Sequence, residues 1–251
     1  MLEINKVHCG DCLELIKQIE DKSIDLILSD PLYNFEVVGG AFKSENPSTS
    51  RDYLSKIIDG GYGEFNPDSF LKEAKRVLKK IRMVVFCNRF LVEKYILFAR
   101  ENNLIFDIHI MAKNNPAPFK NNTYLSDIEY IMIIREHGTF FNKDSKFTDY
   151  KKFYLTNVKP NNEHPAQKPI EIIRKYLRVL SQEGDIVLDP YLGSGTTAFA
   201  CKQLNRKFIG IEINPEFVKI ADKKLSQEIL NQKTISPPNP KGMGIRNGRI
   251  I

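Results

Sequence analysis

The sequence predicts an α/β fold in which a mostly parallel, twisted sheet carries helices on both faces. From residue 169 onward, short apolar segments of strand length alternate with helical segments, which is the pattern of consecutive βα units. A glycine-rich turn, Gly193 to Gly195, lies between one predicted strand and the helix that follows it. The 251 residues, 42% of them hydrophobic, suffice for one large core but not for two ordinary domains with linkers.

Apolar segments of strand length also recur through the first half of the chain, separated by segments with helical periodicity. The predicted strands are residues 24–28, 82–87, 104–111 and 128–135, and the predicted helices are residues 12–19, 70–78 and 91–100. Residues 36–68 contain five glycines among polar residues, which predicts a mobile loop. This loop follows the first of these strands and has the position of a lid over the strand's end.

The second half contains the clearest helix and strand signals. A helix opened by Pro169 is followed by a strand at 185–188, a helix at 196–204, a strand at 208–213 and a helix opened by Asn214-Pro215. Residues 1–230 are therefore predicted to form a single domain. Residues 231–251 hold four basic residues and no acidic one among Pro, Gly and Asn, which predicts a disordered basic tail. Because this tail carries +4 of the formal charge of +6, net charge is weak evidence for a nucleic-acid partner.

The composition favours a soluble, intracellular protein, and the cysteine spacing does not favour a metal site. No export-type segment opens the chain and no apolar run approaches the ~18 residues of a membrane span, so a soluble, cytoplasmic protein with free thiols is expected. Cys9 and Cys12 form a C-x-x-C pair, which would suit a redox pair or half of a zinc site. No second Cys/His pair follows at ligand spacing, so no metal is predicted, and two small thiols near a strand end are the alternative.

A nucleoside-binding unit is predicted around the glycine-rich turn. The run Gly193-Ser194-Gly195-Thr196-Thr197-Ala198 matches G-x-G-x-x-A between a strand and a helix, and Glu212 lies at the end of the next predicted strand. Glycines allow a ligand to approach the backbone, the helix N-terminus favours an anionic group, and the acid can bind both hydroxyls of a ribose. The same unit would serve NAD, and a purely structural glycine turn is the alternative without a ligand.

The position of this unit argues against a dehydrogenase. A dinucleotide-binding fold normally begins with such a unit and needs several strands after it. Here only 56 residues follow Gly195, and part of them is the predicted tail. The rest of the sheet must therefore come from earlier sequence.

Two motifs and their order carry a resemblance to a known family. The motifs are Ser29-Asp30-Pro31-Leu32-Tyr33-Asn34 and Val187-Leu188-Asp189-Pro190-Tyr191-Leu192-Gly193-Ser194-Gly195-Thr196-Thr197. With Asp11 before the first and Glu212 after the second, the chain resembles a β-class DNA amino-methyltransferase of the N6-adenine/N4-cytosine, restriction-modification type. In that family the catalytic motif precedes the cofactor loop. A glutamine methyltransferase that acts on protein has the reverse order.

The resemblance implies a Rossmann-like methyltransferase fold with permuted motif order and S-adenosylmethionine as the cofactor. It assigns cofactor binding to Asp11 and Cys12 at the adenine, to Asp30, Asp189, Pro190, Tyr191, Gly193, Ser194, Gly195, Thr196 and Thr197, to Glu212 and Ile213, and to Lys168 at the carboxylate. For Asp11 the alternative is an acid that caps the helix after it. For Lys168 the alternative is a solvated lysine.

The catalytic prediction centres on Asp30. An exocyclic amine on adenine or cytosine is a poor nucleophile, because its lone pair is delocalised into the ring. The Asp30 carboxylate and the Pro31 carbonyl would each accept one N–H and aim the amine at the methyl group, while Tyr33 would stack on the flipped base. An Asp at this position is typical of adenine-directed members, and the adjacent Ser29 keeps N4-cytosine as an alternative. Leu32 stands where the family usually has a second proline, so a silent DNA-binding subunit is a further alternative.

Residues 135–163 are predicted to be a target-recognition insertion. They combine six basic and six aromatic residues, which suits contacts to phosphates and bases, although the aromatics could instead face a core. The predicted DNA contacts are Lys113, Asn115, Lys143, Lys146, Lys151 and Lys152. The expected partner is double-stranded DNA, and the resemblance adds a homodimer and a separately acting cognate restriction endonuclease in a prokaryotic or phage setting.

Overall fold

The computed structural model describes residues 2–31, 65–116, 124–125, 127–157 and 167–234, with side chains described up to residue 226. The strands in these ranges are β1 Lys6–Cys9, β2 Leu26–Ser29, β3 Arg82–Cys87, β4 Ile105–Lys113, β5 Ile128–Arg135, β6 Phe153–Thr156, β7 Ile186–Asp189 and β8 Lys207–Glu212. The helices are α1 Cys12–Leu15, α2 Pro67–Val77, α3 Arg89–Glu101, α4 Ile170–Leu180, α5 Thr196–Gln203 and α6 Pro215–Thr234. Short 3-10 helices cover Ile16–Gln18 and Phe147–Tyr150.

All eight strands form one sheet in the order β1-β8-β7-β2-β3-β5-β4-β6. Strand β5 is antiparallel to both of its neighbours, and the other pairs are parallel. The predicted mostly parallel sheet is therefore confirmed. The order reverses between β7 and β2, because β8 and β1 extend the sheet on one side and β3 extends it on the other. The carboxyl ends of β1, β8, β7 and β2 meet at one edge.

Two apolar layers cover the sheet, which confirms helices on both faces. One layer holds buried residues of α1, α2 and α3, and the other holds buried residues of α4, α5 and α6. The central strands contribute alternate residues to the two layers, so that Val85 faces the first layer and Val84 faces the second. All six residues of β3 are buried, as expected of a strand covered on both faces.

Caps explain where α2 and α3 begin. The Asn66 side chain accepts a hydrogen bond from the Ser69 N–H at 2.9 Å, and Pro67 occupies the first turn. Helix α2 therefore starts inside the predicted lid, whose residues 36–64 lie outside the described ranges. Asn88 caps α3 in the same way through the N–H groups of Phe90 and Leu91. The helix expected at 12–19 is instead α1 followed by a 3-10 turn.

Two strands were not predicted, and one of them lies in the expected insertion. Strand β6 pairs in parallel with β4, so part of residues 135–163 belongs to the sheet. Tyr150 and Tyr154 pack on the second apolar layer, whereas Phe147 is 81% exposed. The core-facing interpretation is thus correct for these two tyrosines only. Helix α6 extends to Thr234, four residues into the predicted tail, and residues 235–251 lie outside the described ranges. No helix in the described part of the chain is long and apolar enough to cross a membrane.

Candidate active site

A cavity of about 300 Å³ opens at the edge where β1, β8, β7 and β2 end. This is the point where the strand order reverses, which is where open α/β sheets bind ligands. Among the described residues, the following predicted site residues line it: Asp11, Cys12, Asp30, Lys168, Asp189, Pro190, Tyr191, Gly193, Ser194, Thr196, Thr197, Glu212 and Ile213. Phe65, Asn66 and Phe217 also line it and were not predicted.

The glycine-rich turn lies against the sheet and α6. Gly193 and Gly195 have φ values of 55° and 82°, in the left-handed region that favours glycine. A Cβ on Gly195 would come within 2.8 Å of the Ala221 Cβ in α6. A Cβ on Gly210 in β8 would meet Leu192 at 2.5 Å, so the turn packs directly on the strand backbone. Gly193 and Gly195 favour glycine because of their backbone conformation, and Gly195 forms the N-cap of α5.

Glu212 is buried at the end of β8 and braces the turn. Its Oε2 accepts from the Gly193 N–H and its Oε1 from the Asn214 N–H, both at 2.8 Å. Burial raises the pKa of the carboxyl above its usual range, although these backbone bonds oppose the change. Each carboxylate oxygen has a second lone pair, so Glu212 can also accept from the hydroxyls of a ribose.

Asp189 joins the ends of β7 and β2. Its Oδ1 accepts from the Ser29 hydroxyl at 2.8 Å and from the Tyr191 N–H at 3.1 Å. Burial raises the pKa of the Asp189 carboxyl to about 7. Ser29 is itself 1% exposed, so its hydroxyl is directed to this carboxylate inside the site.

At the other end of the cavity, Asp11 caps α1, as the capping interpretation expects. Its Oδ1 accepts from the Glu14 N–H at 3.1 Å, and the residue also lines the cavity, so the two interpretations are compatible. Burial raises the pKa of the Cys12 thiol to about 11, although the Tyr191 hydroxyl opposes the change. All four cysteines are free. In the described ranges, no group of His, Cys, Asp or Glu is arranged to hold a metal ion.

The predicted catalytic corner, around Asp30, contains charges that alternate in sign. Asp30 follows β2 directly, and its Oδ2 forms an ion pair with the Lys168 Nζ. The same Nζ lies 3.2 Å from Glu129 Oε2, and Lys113 Nζ lies 2.5 Å from Glu129 Oε1. The Lys168 side chain is only 11% exposed, so the solvated-lysine interpretation is wrong. Burial lowers the pKa of Lys168, but the nearby carboxylates of Asp30 and Glu129 raise it by more. The pKa of Lys168 therefore lies above its ordinary value.

Glu129 was not predicted to belong to the site. The available signal was a single acid at the start of an otherwise apolar strand, Ile-Glu-Tyr-Ile-Met-Ile-Ile. Pro31 is buried next to Asp30, whereas Leu32 and Tyr33 lie outside the described ranges.

The predicted DNA contacts do not line the cavity. Lys143, Lys146 and Lys151 are exposed, and so is Asn115. Lys152 is exposed and paired with Asp107. Lys113 is turned inward to Glu129, which separates it from the surface lysines.

The fold and the site together define an S-adenosylmethionine-dependent methyltransferase, and a solved structure agrees with this class. The M1.HpyAVI–SAM complex is 27% identical with a TM-score of 0.62, and the match covers 88% of this chain and 98% of that one. The DNA methylase family model matches residues 24–223, and the chain belongs to this family of N6/N4 amino-methyltransferases.

Curated relatives are type II methyltransferases. M.HpaI of Haemophilus parainfluenzae is 30% identical over 89% of this chain and 74% of that protein. M2.DpnII of Streptococcus pneumoniae is 31% identical over 88% of this chain and 89% of that protein. The predicted family and permuted motif order are thus confirmed, and S-adenosylmethionine is the cofactor. The left-handed glycines, the close approach at Gly210 and the acceptor set of Glu212 fit this nucleoside-containing group.

Proposed function

We propose that this DNA methyltransferase transfers a methyl group to the N6 amine of an adenine within a specific sequence of duplex DNA. The observation that carries the proposal is Asp30, a carboxylate at the end of β2 that lines the same cavity as the glycine-rich turn and Glu212. An amine acceptor and a cofactor site therefore share one cavity.

The chain's own residues divide between holding the cofactor and preparing the amine. Asp11 and Cys12 would border the adenine of S-adenosylmethionine, Glu212 would accept from its ribose hydroxyls, and the turn from Asp189 to Thr197, with Ile213, would complete the cradle. The bound cofactor supplies an electrophilic methyl group on a sulfonium. Lys168 also borders this cavity, and a contact with the cofactor's carboxylate remains a prediction.

Asp30 would accept one N–H of the target amine, and the carbonyl of buried Pro31 would accept the other. Two acceptors draw the amine toward tetrahedral geometry and direct its lone pair to the methyl group. A carboxylate offers about four lone-pair positions on two oxygens, so Asp30 can accept from the amine while it is paired with Lys168.

The structure favours Asp30 over Ser29 as the acceptor, and this supports adenine as the target. The Ser29 hydroxyl is buried and donates to Asp189, whereas the carboxylate of Asp30 lines the cavity directly after β2. N4-cytosine is the alternative base, because the same acceptor pair would also prepare its amine.

The remaining parts of the proposal concern DNA and the cellular setting. The base would be flipped out of the duplex at a cost of a few kcal/mol and would stack on Tyr33. The exposed Lys143, Lys146 and Lys151, with Asn115, would contact the duplex. We also propose a prokaryotic or phage-related cytoplasmic enzyme that acts as a homodimer, beside a restriction endonuclease for the same sequence.

The test is incubation with S-adenosylmethionine and unmethylated duplex DNA, followed by nucleoside digestion and mass spectrometry. We expect N6-methyladenine from the wild-type protein and none from Asp30→Ala. Glu20→Ala, which removes an exposed carboxylate, is the matched control and should stay active. N4-methylcytosine would contradict the choice of base. No methylated nucleoside across varied duplexes would contradict the function and favour a silent DNA-binding subunit.

A further inference from the structure

We propose that Glu129 is a positioning residue for methyl transfer, because it fixes the Lys168 ammonium against Asp30. The inference rests on the proposed role of Asp30 as the acceptor for the target amine. It adds a residue that is distant in sequence from both methyltransferase motifs.

The reversed direction of β5 explains how Glu129 reaches the site. In a parallel sheet, the first residues of a strand lie far from the edge that carries the ligand. Strand β5 runs against β3 and β4, so its start lies beside their ends, with Tyr130 opposite Cys87 and Glu129 opposite Met111. A carboxylate at the second position of β5 is therefore delivered to the edge where Asp30 lies.

Glu129 forms ion pairs with two lysines, one at each of its carboxylate oxygens. Lys168 Nζ lies 3.2 Å from Oε2 and Lys113 Nζ lies 2.5 Å from Oε1. The three side chains are 11% to 24% exposed, so water screens these charges poorly. Burial alone would raise the pKa of Glu129, but Lys168 and Lys113 lower it below its ordinary value, so the carboxylate is ionised at neutral pH.

Stability is a poor explanation for this arrangement. Desolvating charges costs several kcal/mol per ion, and well-packed apolar residues often replace buried ion pairs without loss. Met111, the residue opposite Glu129 on β4, is buried, and the Lys168 Nζ lies 5.3 Å from the centre of the buried Phe86 ring. A row of charges at this place is better explained by its effect on the position of the Asp30 carboxylate.

Lysine needs a second anchor to act as a fixed partner. Its ammonium is a compact charge on a flexible four-carbon stem with three donors. One donor serves Asp30. Glu129 Oε2 lies 3.2 Å from the same Nζ as an ion-pair partner without a hydrogen bond, so the ammonium is held electrostatically between two carboxylates. Displacement of a reacting group by about 1 Å can reduce the rate about 100-fold, so the orientation of the Asp30 carboxylate matters for turnover.

The test is a double-mutant cycle on the full-length enzyme with Glu129→Gln, Lys168→Met and the combined variant. For each variant, kcat with duplex DNA and the Kd for S-adenosylmethionine would be measured. Glu129→Gln should lower kcat about 10- to 100-fold while the Kd changes less than about threefold. If Glu129 acts through Lys168, the combined variant should be no slower than Lys168→Met alone.

Glu136→Gln is the matched control, because Glu136 follows the other end of β5 and its carboxylate accepts from the Ile81 N–H. Its kcat should equal that of the wild type. If Glu129→Gln fails to fold, Lys113→Met/Glu129→Gln removes the unpaired ammonium as well and should show the same loss of kcat.

Three results would overturn the inference. Multiplicative losses in the combined variant would mean that the two residues act independently. A raised Kd for Lys168→Met with unchanged kcat would assign Lys168 to the cofactor's carboxylate. Absence of methyl transfer by the wild-type protein would contradict the proposed function itself. The first two results would leave the proposed function unaffected.

Discussion

At the residue scale, carboxylates that line the cavity each combine a structural contact with a surface for the ligand. Asp11 caps α1 and lines the cavity, and Glu212 receives two backbone N–H groups while it faces the same space. These contacts hold the start of α1 and the glycine-rich turn in place before any ligand binds. Substitutions at these positions should therefore change stability and cofactor affinity together.

Glu212→Gln is expected to lower both the stability of the fold and the affinity for the cofactor. A glutamine side chain has one acceptor oxygen, so the N–H of either Gly193 or Asn214 would lose its partner, at a cost of about 1–3 kcal/mol. Thermal unfolding and calorimetric titration with S-adenosylmethionine would show a lower Tm and a higher Kd. Glu216→Gln, at an exposed pair with Lys219, is the control and should change neither. An unchanged Kd in Glu212→Gln would contradict the ribose assignment.

The pH dependence of stability should reveal Asp189. Burial raises the pKa of its carboxyl to about 7, whereas an unfolded aspartate titrates near 3.9. Because the folded pKa is the higher one, the stabilising contribution of the protonated form is fully present below about pH 4 and is lost as pH rises through about 7.

Asp189→Asn cannot ionise, and its amide oxygen can still accept from Ser29 and the Tyr191 N–H. Between pH 4 and 8 the variant should lose less stability than the wild type, by up to a few kcal/mol. Urea unfolding across this range measures the difference. Parallel curves for the two proteins would show that Asp189 titrates normally.

At the element scale, the segment between β5 and α4 is both part of the sheet and a candidate contact for DNA. Arg178 of α4 forms two hydrogen bonds with the buried Asp149, at 2.7 and 2.8 Å, and this fork holds the 3-10 helix against the domain. The exposed lysines predicted to contact DNA lie on either side of Asp149. Fixing this element should therefore matter for DNA more than for the cofactor.

Arg178→Leu should loosen the segment, because Asp149 would remain buried without its charged partner. We expect a loss of about 2 kcal/mol in unfolding free energy, faster hydrogen exchange in residues 142–150 and weaker DNA binding. The Kd for S-adenosylmethionine should stay the same. Lys17→Met, which breaks an exposed pair with Glu14, is the control. Loosening without any change in DNA affinity would argue against a recognition role for this segment.

At the scale of the whole molecule, the candidate cofactor cavity joins distant parts of the chain. The cavity is formed by residues from the first 30 positions, from Phe65, Asn66 and Phe86, and from positions 167 to 217. A ligand bound there contacts the folded state only. Occupancy should therefore stabilise the entire domain by mass action.

S-adenosylmethionine at 100 times its Kd should stabilise the fold by about 2.7 kcal/mol, which corresponds to a rise in Tm of roughly 5–10 °C. Differential scanning calorimetry measures the shift. NAD at the same concentration is the control ligand and should give none. Gly195→Val should remove the shift, since a side chain at φ 82° would be strained and would meet Ala221. A matching shift with NAD would reopen the dinucleotide interpretation.

Local sequence patterns were sufficient to predict the family, the mostly parallel sheet and most of the residues that line the candidate cofactor cavity. These features are local: a glycine turn between a strand and a helix, an acid at the next strand's end, and an Asp-Pro corner after a buried strand. Hydrophobic periodicity and turn chemistry act over a few residues, so their signals can be identified without the fold. Strand β3 was predicted with its observed bounds for this reason.

The side chains that meet across the sheet could not be predicted from local patterns. Ser29 and Asp189 are 160 positions apart, and Lys168 and Asp30 are 138 apart, so no spacing rule joins them. Strand β6 has weak local signals, and its pairing with β4 supplies the hydrogen bonds that make it a strand. Glu129 reaches the catalytic corner because β5 is reversed. Long-range pairing depends on strand order and direction, which result from packing of the whole chain rather than from the residues on either side.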